Sequence, residues 1–295
     1  ATGNQGKTMG EVLGAGWLGE EPEIAADAIV SITDADIIVC GAGHAGTAVA
    51  RRASELGKKV VVVEMQPEET FSALGNDIGH LNSSWQLDRV VIPKYSVVDF
   101  MNEYQMYAAG RTQPTLLSQF ANRSGEALDW FIDGYTEQEK DELIPLNWPV
   151  VDGYNYKKNG FTSYVGTCQF GGSVGMTDAV KRSQDKAREA GAEFVFGQAA
   201  VRLVHNDDGT EVTGVIAKDS NSGEYHQYNG GAVVLACGDI GSNSAMYNAI
   251  CRENYELGEY ADCAAMSGRD GSGIAMAMRI GAKVEIATGG DMGSH

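Results

Sequence analysis

The chain has 295 residues, of which 43% are hydrophobic and 21% charged, and a formal net charge of −18. That length suits one large or two ordinary domains with a substantial core. A polyanion repels phosphate backbones and anionic surfaces, which excludes nucleic acid as a natural partner. No apolar run approaches the roughly 20 residues of a membrane-spanning helix, so no transmembrane segment is expected. The five cysteines, Cys40, Cys168, Cys237, Cys251 and Cys263, form no C-x-x-C pair and imply no disulfide framework. Cys40 and Cys237 each close an apolar run, where a free cysteine packs as a small hydrophobe.

Residues 1–34 are polar and acidic and read as an N-terminal arm packed on the domain surface, with a weakly apolar stretch at 24–32. Residues 35–65 read ADIIVCGAGHAGTAVARRASELGKKVVVVEM. Here 35–40 is a buried strand, 41–46 a turn, 47–56 a helix stopped by Gly57, and 60–64 a second buried strand. Strand, turn, helix and strand within about 30 residues form a parallel crossover unit. Residues 67–88 show no clear period and read as a long loop. Helices are expected at 95–111 and 113–132, an exposed acidic face at 136–142, and an aromatic, turn-rich stretch at 148–164. A helix at 176–190 precedes strands at 194–196, 199–204, 212–218, 225–228 and 232–236, with turns at 207–209 and 220–223. A last helix covers 271–280. The pattern is α/β: a parallel sheet with helices and a small antiparallel meander, a Rossmann-like arrangement. Neither internal repeats nor a metal-ligand cluster stands out.

Gly41, Gly43 and Gly46 stand at G-x-G-x-x-G spacing. Gly41 allows the turn off the strand, Gly43 lets a pyrophosphate approach the backbone, and Gly46 lets the helix pack on the strand. The helix N-terminus adds unpaired N–H groups and a partial positive charge. Glu64, about 20 residues on, is placed for ribose hydroxyls, and its charge disfavours a 2′-phosphate. FAD and NAD both remain open on this evidence.

Three further stretches carry a resemblance: 74–84 (LGNDIGHLNSS), 233–243 (VVLACGDIGSN) and 267–282 (SGRDGSGIAMAMRIGA). In this order they resemble the FAD-dependent fumarate reductase/succinate dehydrogenase flavoprotein family. That family has a GGN-type loop, an ATGG-type strand end and a TGDG-type turn into a helix. The resemblance runs from about residue 35 to the end and implies a glutathione-reductase-like FAD-binding fold with FAD as cofactor.

It also implies roles. Ala45 lies against the pyrophosphate; Glu64, with Met65 beside it, holds the adenosine ribose. Asn76 and Asp77 sit near the phosphates and ribityl chain, and Asn82 and Ser83 under the isoalloxazine edge. Val201 offers backbone atoms to adenine, Gly238 lets the chain pass close to the cofactor, and Asp270 contacts the flavin side. The chain departs from the family at residues 81–83, where small glycine-rich residues are usual, and at Cys237 and Asp239, which replace Thr and a second Gly. His80 in the flavin loop reads as a cofactor or substrate donor, or as a surface histidine.

In the family a capping domain interrupts the FAD domain and carries the catalytic arginine. Residues 35–286 therefore read as the first portion of an FAD-binding domain, and 287–295 as the lead-in to a capping domain. No catalytic residue is identified in this chain, and His295 aligns with a substrate-binding histidine. The implied activity is reduction of an activated C=C bond by hydride from flavin N5. A ketosteroid-type dehydrogenase, or a non-catalytic FAD-binding fragment, is the alternative. Implied partners are a small unsaturated acceptor, an external electron donor (a cytochrome or a flavoprotein), and a second chain or C-terminal half. The lead-in resembles that of exported members and the chain opens at Ala1, so export to the periplasm or cell surface is expected.

Overall fold

The computed structural model describes residues 16–89, 94–146, 167–206, 210–250 and 269–284. They form two compact units. One comprises Ala1–Phe71 and Gln184–His295, the other Ser72–Ser183.

The first unit is built on β1 (Ile29–Cys40), α1 (His44–Glu55), β2 (Val60–Glu64), β6 (Glu193–Phe196), β7 (Gln198–His205), β8 (Val212–Asp219) and β9 (Tyr225–Leu235). Its six strands run in the order β6-β2-β1-β9-β8-β7. β2 lies parallel to β1 and to β6, and β9 lies parallel to β1 on the other side. β8 and β7 complete the sheet as an antiparallel meander. Register is set by burial: Ile37 to Cys40 pair with Val60 to Val63. All five residues of β2 are buried, as a parallel strand covered on both faces requires. Ile38, Cys40, Val61, Val63, Val215, Ala217 and Tyr228 form the core, with Val233, Leu235 and Cys237 packed against it.

Two expectations change here. The arm ends earlier than 34, because β1 begins at Ile29 and its first half pairs with β9. That half is largely exposed, with Val30 and Ile32 open to solvent, so it lacks the continuous apolar run that marks a buried strand. The strands expected at 225–228 and 232–236 are one element, β9. The chain stays extended through Gly230 and Gly231 because it remains paired with β1, Gly230 opposite Ala35 and Ala232 opposite Ile37. A Cβ on Gly230 would lie 3.0 Å from Ile38 Cγ1, and one on Gly231 3.5 Å from Asp36 O.

In the same unit, α7 (Ser244–Ile250) and α8 (Ser272–Arg279) pack through Met246, Ala249, Ile250 and Ala275, with Trp17 and Leu18 against them. Arg279 donates to Leu18 O at 2.8 Å, and Arg202 pairs with Glu21. This is how the preceding segment is held.

The second unit holds β3 (Asp77–Gly79), α2 (Ser84–Arg89), α3 (Val97–Tyr107), α4 (Pro114–Phe131), α5 (Glu137–Glu142), β4 (Ile144–Leu146) and β5 (Thr167–Gln169). The chain passes back to the first unit within α6 (Met176–Glu189). The strands form an antiparallel sheet in the order β3-β5-β4. The stretch 67–88 is thus not one loop, since it contains β3 and α2. α4 buries Leu117, Ala121, Gly125 and Leu128, the three-and-four spacing of an amphipathic helix, and Pro114 opens it. The acidic stretch 136–142 is a short helix, because Thr136 and Glu139 make a capping box. Its acids are partnered: Glu139 by Arg182 at 2.6 Å, and Glu137 and Asp141 by Arg89.

Gly125 marks the closest approach in this unit. A Cβ there would lie 2.4 Å from Leu81 O and 2.8 Å from Asn82 C. Those are backbone atoms with no rotamer to change. Gly125→Ala is therefore expected to destabilise by about 1–3 kcal/mol despite alanine's better helix propensity. Thermal unfolding measures this, and an unchanged or raised Tm would refute the close packing of α4 on the 81–83 loop.

Candidate cofactor site

The phosphate loop hangs from the end of β1. Gly41 N donates to Val63 O at 2.7 Å, and Gly41 has φ 103°, a left-handed conformation that glycine adopts at little cost. A Cβ there would also lie 2.4 Å from Ala236 O. Gly46, in the first turn of α1, sits over the same turn: its Cβ would be 1.8 Å from Gly41 O and 3.1 Å from Val39 Cγ1. Gly43, the N-cap of α1, is different. Among the described residues, its chain neighbours aside, no atom lies within 4 Å of where its Cβ would be. Gly41 and Gly46 are therefore required by the protein's own packing, while Gly43 faces open space at a helix N-terminus whose first N–H groups have no intrahelical acceptor.

Glu64 closes the loop from β2 and is 5% exposed. Oε2 accepts from Ala42 N at 2.7 Å and Oε1 from Gln66 N at 2.8 Å. Each carboxylate oxygen retains further acceptor capacity for a hydroxyl donor. Two residues that spacing did not single out complete the loop. Thr47 Oγ1 and Gln184 Nε2 both donate to Ala42 O, at 2.7 and 3.0 Å. Thr47 directly follows the glycine motif. Gln184 is 142 residues distant from Ala42, and no local signal points to it.

Gly238 and Asp270 belong to two loops knitted together in this unit. Gly271 N donates to Asp239 O, Ser242 N to Arg269 O and Asn243 Nδ2 to Asp270 O. Arg269 pairs with Asp239 at 3.0 Å. Gly238 has φ 82°, and Asp270 Oδ1 accepts from Ser272 N. His44, in the first turn of α1, has its pKa lowered by burial and then by the charge of Arg269. Ala236 N donates to Cys40 O at 2.8 Å, which ties the chain leading into these loops to the phosphate-loop end of β1. Met65 is exposed beside Glu64.

Val201 lies on β7 at a register shift between Ala200, opposite Ala217, and Arg202, opposite Ile216. It is the extra residue of a β-bulge, whose backbone groups are left out of the ladder.

The remaining residues lie in the second unit. Asn76 O accepts from Phe170 N at 2.6 Å, and Asp77 opens β3 and is exposed. Asn82 has φ 58°, and its amide bonds twice to Tyr95: Oδ1 accepts from Tyr95 N and Nδ2 donates to Tyr95 O. Ser83 is buried, and its Oγ accepts from Gln86 N at the start of α2. The side chains of Asn82 and Ser83 thus hold the loop itself. Trp85 is buried, with its indole N–H bonded to Lys140 O. His295 and residues 148–164 lie outside the described residues.

His80 is the unusual group of the second unit. It is 2% exposed, packs edge-on to Trp85, and neither ring nitrogen has a partner among the described residues. Burial pushes its pKa down to about 4, against the opposing charge of Asp129. The unfolded chain, with a histidine pKa near 6.5, protonates first. Stability is therefore expected to fall as pH drops from about 6.5 to about 4 and to level off below, a loss on the order of 3 kcal/mol. His80→Gln should flatten that slope. Urea unfolding at about pH 7 and about pH 4.5 compares the two proteins, and identical slopes would count against a buried neutral imidazole.

A parallel β1–α1–β2 crossover, a glycine loop at the helix N-terminus and a carboxylate ending β2 define a dinucleotide-binding domain. The chain belongs to the FAD binding domain family, whose sequence model matches residues 36–288, and FAD is its cofactor.

Among curated proteins it is 24% identical over 251 residues to the vinyl phenol reductase of Lactiplantibacillus plantarum, covering 84% of this chain and 46% of that one. It is 26% identical over 251 residues to the NADH:fumarate oxidoreductase of Klebsiella pneumoniae, covering 84% and 24%. To the digoxin reductase of Eggerthella lenta it is 24% identical over 226 residues, covering 72% and 37%. The chain thus spans less than half the length of these relatives.

Two solved structures share its fold at a TM-score of 0.66 and 21% identity, each covering 88% of this chain. One is the 3-ketosteroid-Δ4-(5α)-dehydrogenase of Rhodococcus jostii, of which 56% is covered. The other is a flavocytochrome c3 fumarate reductase in its open conformation, of which 42% is covered. The chain is thus an FAD-binding member of a reductase and dehydrogenase family. No helix among the described residues is long and apolar enough to cross a membrane.

Proposed function

We propose that this chain is the FAD-holding part of a flavin-dependent reductase of an activated C=C bond. The observation that carries the reading is the cofactor cradle. Gly43 faces open space at the N-terminus of α1, and the Glu64 carboxylate stands at the end of β2. This is where a pyrophosphate and a ribose fit. Two relatives are named for acceptors that contain a C=C bond, a vinyl phenol and fumarate, which supports the reduction.

The chain's residues divide the binding. The first-turn N–H groups of α1 face the pyrophosphate. Glu64 accepts from the adenosine ribose, and the bulged backbone at Val201 offers its unpaired groups to adenine. Asp270 is assigned to the flavin side. Bound FAD supplies the hydride at N5. An arginine outside these residues supplies the proton, and electrons come from an external donor.

The test reduces the flavin of the protein carrying this chain under anaerobic conditions and adds fumarate, a vinyl phenol and further enoates. Reoxidation with formation of the saturated product is expected. Failure of every acceptor to reoxidise the flavin would sink the reading. Reduction of oxidised flavin by a saturated 3-ketosteroid would favour the dehydrogenase direction instead.

A further inference from the structure

The peptide that links Ala42 to Gly43 is held on its carbonyl side by two donors. Thr47 Oγ1 and Gln184 Nε2 both donate to Ala42 O, at 2.7 and 3.0 Å. Ala42, Thr47 and Gln184 are all buried. The N–H of Ala42 is fixed as well, by Glu64 Oε2 at 2.7 Å.

Gln184 stands where packing alone would not call for an amide. It lies on the buried face of α6 with Ala179, Val180, Ser183 and Ala187, a place that an apolar side chain of its size would fill as well. A buried amide costs free energy unless it is hydrogen-bonded. A buried carbonyl needs only one partner, and Thr47 already supplies it. The second donor, from Gln184, therefore serves to fix direction.

Direction matters because of Gly43. A trans peptide is planar, and its C=O and N–H point in opposite directions. Turning Ala42 O towards Thr47 and Gln184 turns the Gly43 N–H away from them, at the N-cap of α1. Gly43 has no side chain to resist rotation of this peptide, so hydrogen bonds must hold it. The flipped peptide would set the partial negative charge of Ala42 O where the N–H now stands.

We propose that Gln184 is a positioning residue for the cofactor: with Thr47 it locks the Ala42–Gly43 peptide so that the Gly43 N–H, and not the Ala42 carbonyl, meets the FAD pyrophosphate. This role rests on the placement of the pyrophosphate beside Gly43. Two donors share the task, so one alone still holds the peptide in part. Apparent affinity falls with the fraction of molecules in the binding orientation, and loss of both donors costs more than the two losses combined.

The test titrates FAD, by flavin fluorescence, onto the protein carrying this chain and onto Gln184→Met, Thr47→Val and the double variant. Each substitution removes a donor and keeps the side chain's size. The Kd is expected to rise about fivefold in each single variant and about 100-fold in the double variant, beyond the product of the two. Thr47→Ser keeps the hydroxyl and is expected to recover most of the affinity that Thr47→Val loses. Urea unfolding gives the folded fraction by which each Kd is corrected. Gln184→Leu, a second apolar replacement, reads the same loss where Gln184→Met does not fold.

An unchanged Kd without the Gln184 amide would overturn the role. So would a double variant no weaker than the product of the singles, or a Thr47→Ser as weak as Thr47→Val, because side chains that only pack act separately and by size. An unsubstituted protein that binds no FAD would refute the placement of the cofactor itself. Normal FAD binding with one Kd across all variants would refute the peptide lock alone.

Discussion

Gly46→Ala is expected to destabilise the first unit by about 3 kcal/mol, the upper end for overpacking, and to abolish FAD retention. The added methyl would stand 1.8 Å from Gly41 O. The obstacle is the backbone of the phosphate loop, itself held by the Gly41 N–Val63 O hydrogen bond, so helix and strand must part to admit it. Gly43→Ala, three residues earlier, is expected to behave oppositely. Its methyl enters open space, so stability should change by less than about 1 kcal/mol. FAD affinity should fall by about tenfold or more, because the methyl occupies the path of the pyrophosphate. Thermal unfolding and flavin titration on both variants separate the two roles. Equal stability losses would show that Gly43 serves packing and would remove the main geometric support for the cradle.

Glu64→Gln is expected to weaken FAD binding by about 10- to 100-fold and to lower stability by about 1.5–3 kcal/mol. Both carboxylate oxygens accept backbone N–H bonds, from Ala42 at 2.7 Å and Gln66 at 2.8 Å. A glutamine amide offers one oxygen and sets an N–H₂ donor against one of those N–H groups. The site is buried, so solvent cannot make good the lost bond. Flavin titration and urea unfolding read the two effects. Lost affinity with unchanged stability would mean that the Ala42 and Gln66 contacts carry no energy in the folded chain.

The β1–α1–β2 unit was legible because all its signals are local. Apolar runs, glycine spacing and the terminal acid fall within residues 35–65, and β2 is observed at Val60–Glu64 as read. The helix at 176–190 and the meander strands β7 and β8 were legible for the same reason, their periodicity being continuous. β3 and α2 were not. Strand β3 has three residues, too few to show a period, and α2 draws its start from buried Ser83 and from Asp129, whose carboxylate accepts from Ser84 N and Trp85 N. The side chains of Asn82 and Ser83 bond to Tyr95 and Gln86, partners that no local signal names. The polarity of a residue does not reveal which partner the fold supplies.

Composition and spacing alone determined that the chain carries an α/β dinucleotide fold with a phosphate loop on Gly41, Gly43 and Gly46 and an acid at Glu64. Those features depend on the backbone conformation and burial of a single contiguous segment. Tertiary structure decided the rest. It showed which glycine faces open space and which face the protein. It placed Gln184 on the carbonyl of Ala42 across 142 residues, ran β9 unbroken alongside β1, and set the thiol of Cys237 on the end of β1 from 197 residues away. Such contacts arise when strands distant in the chain become neighbours in one sheet, and the order of those strands follows from packing the whole core.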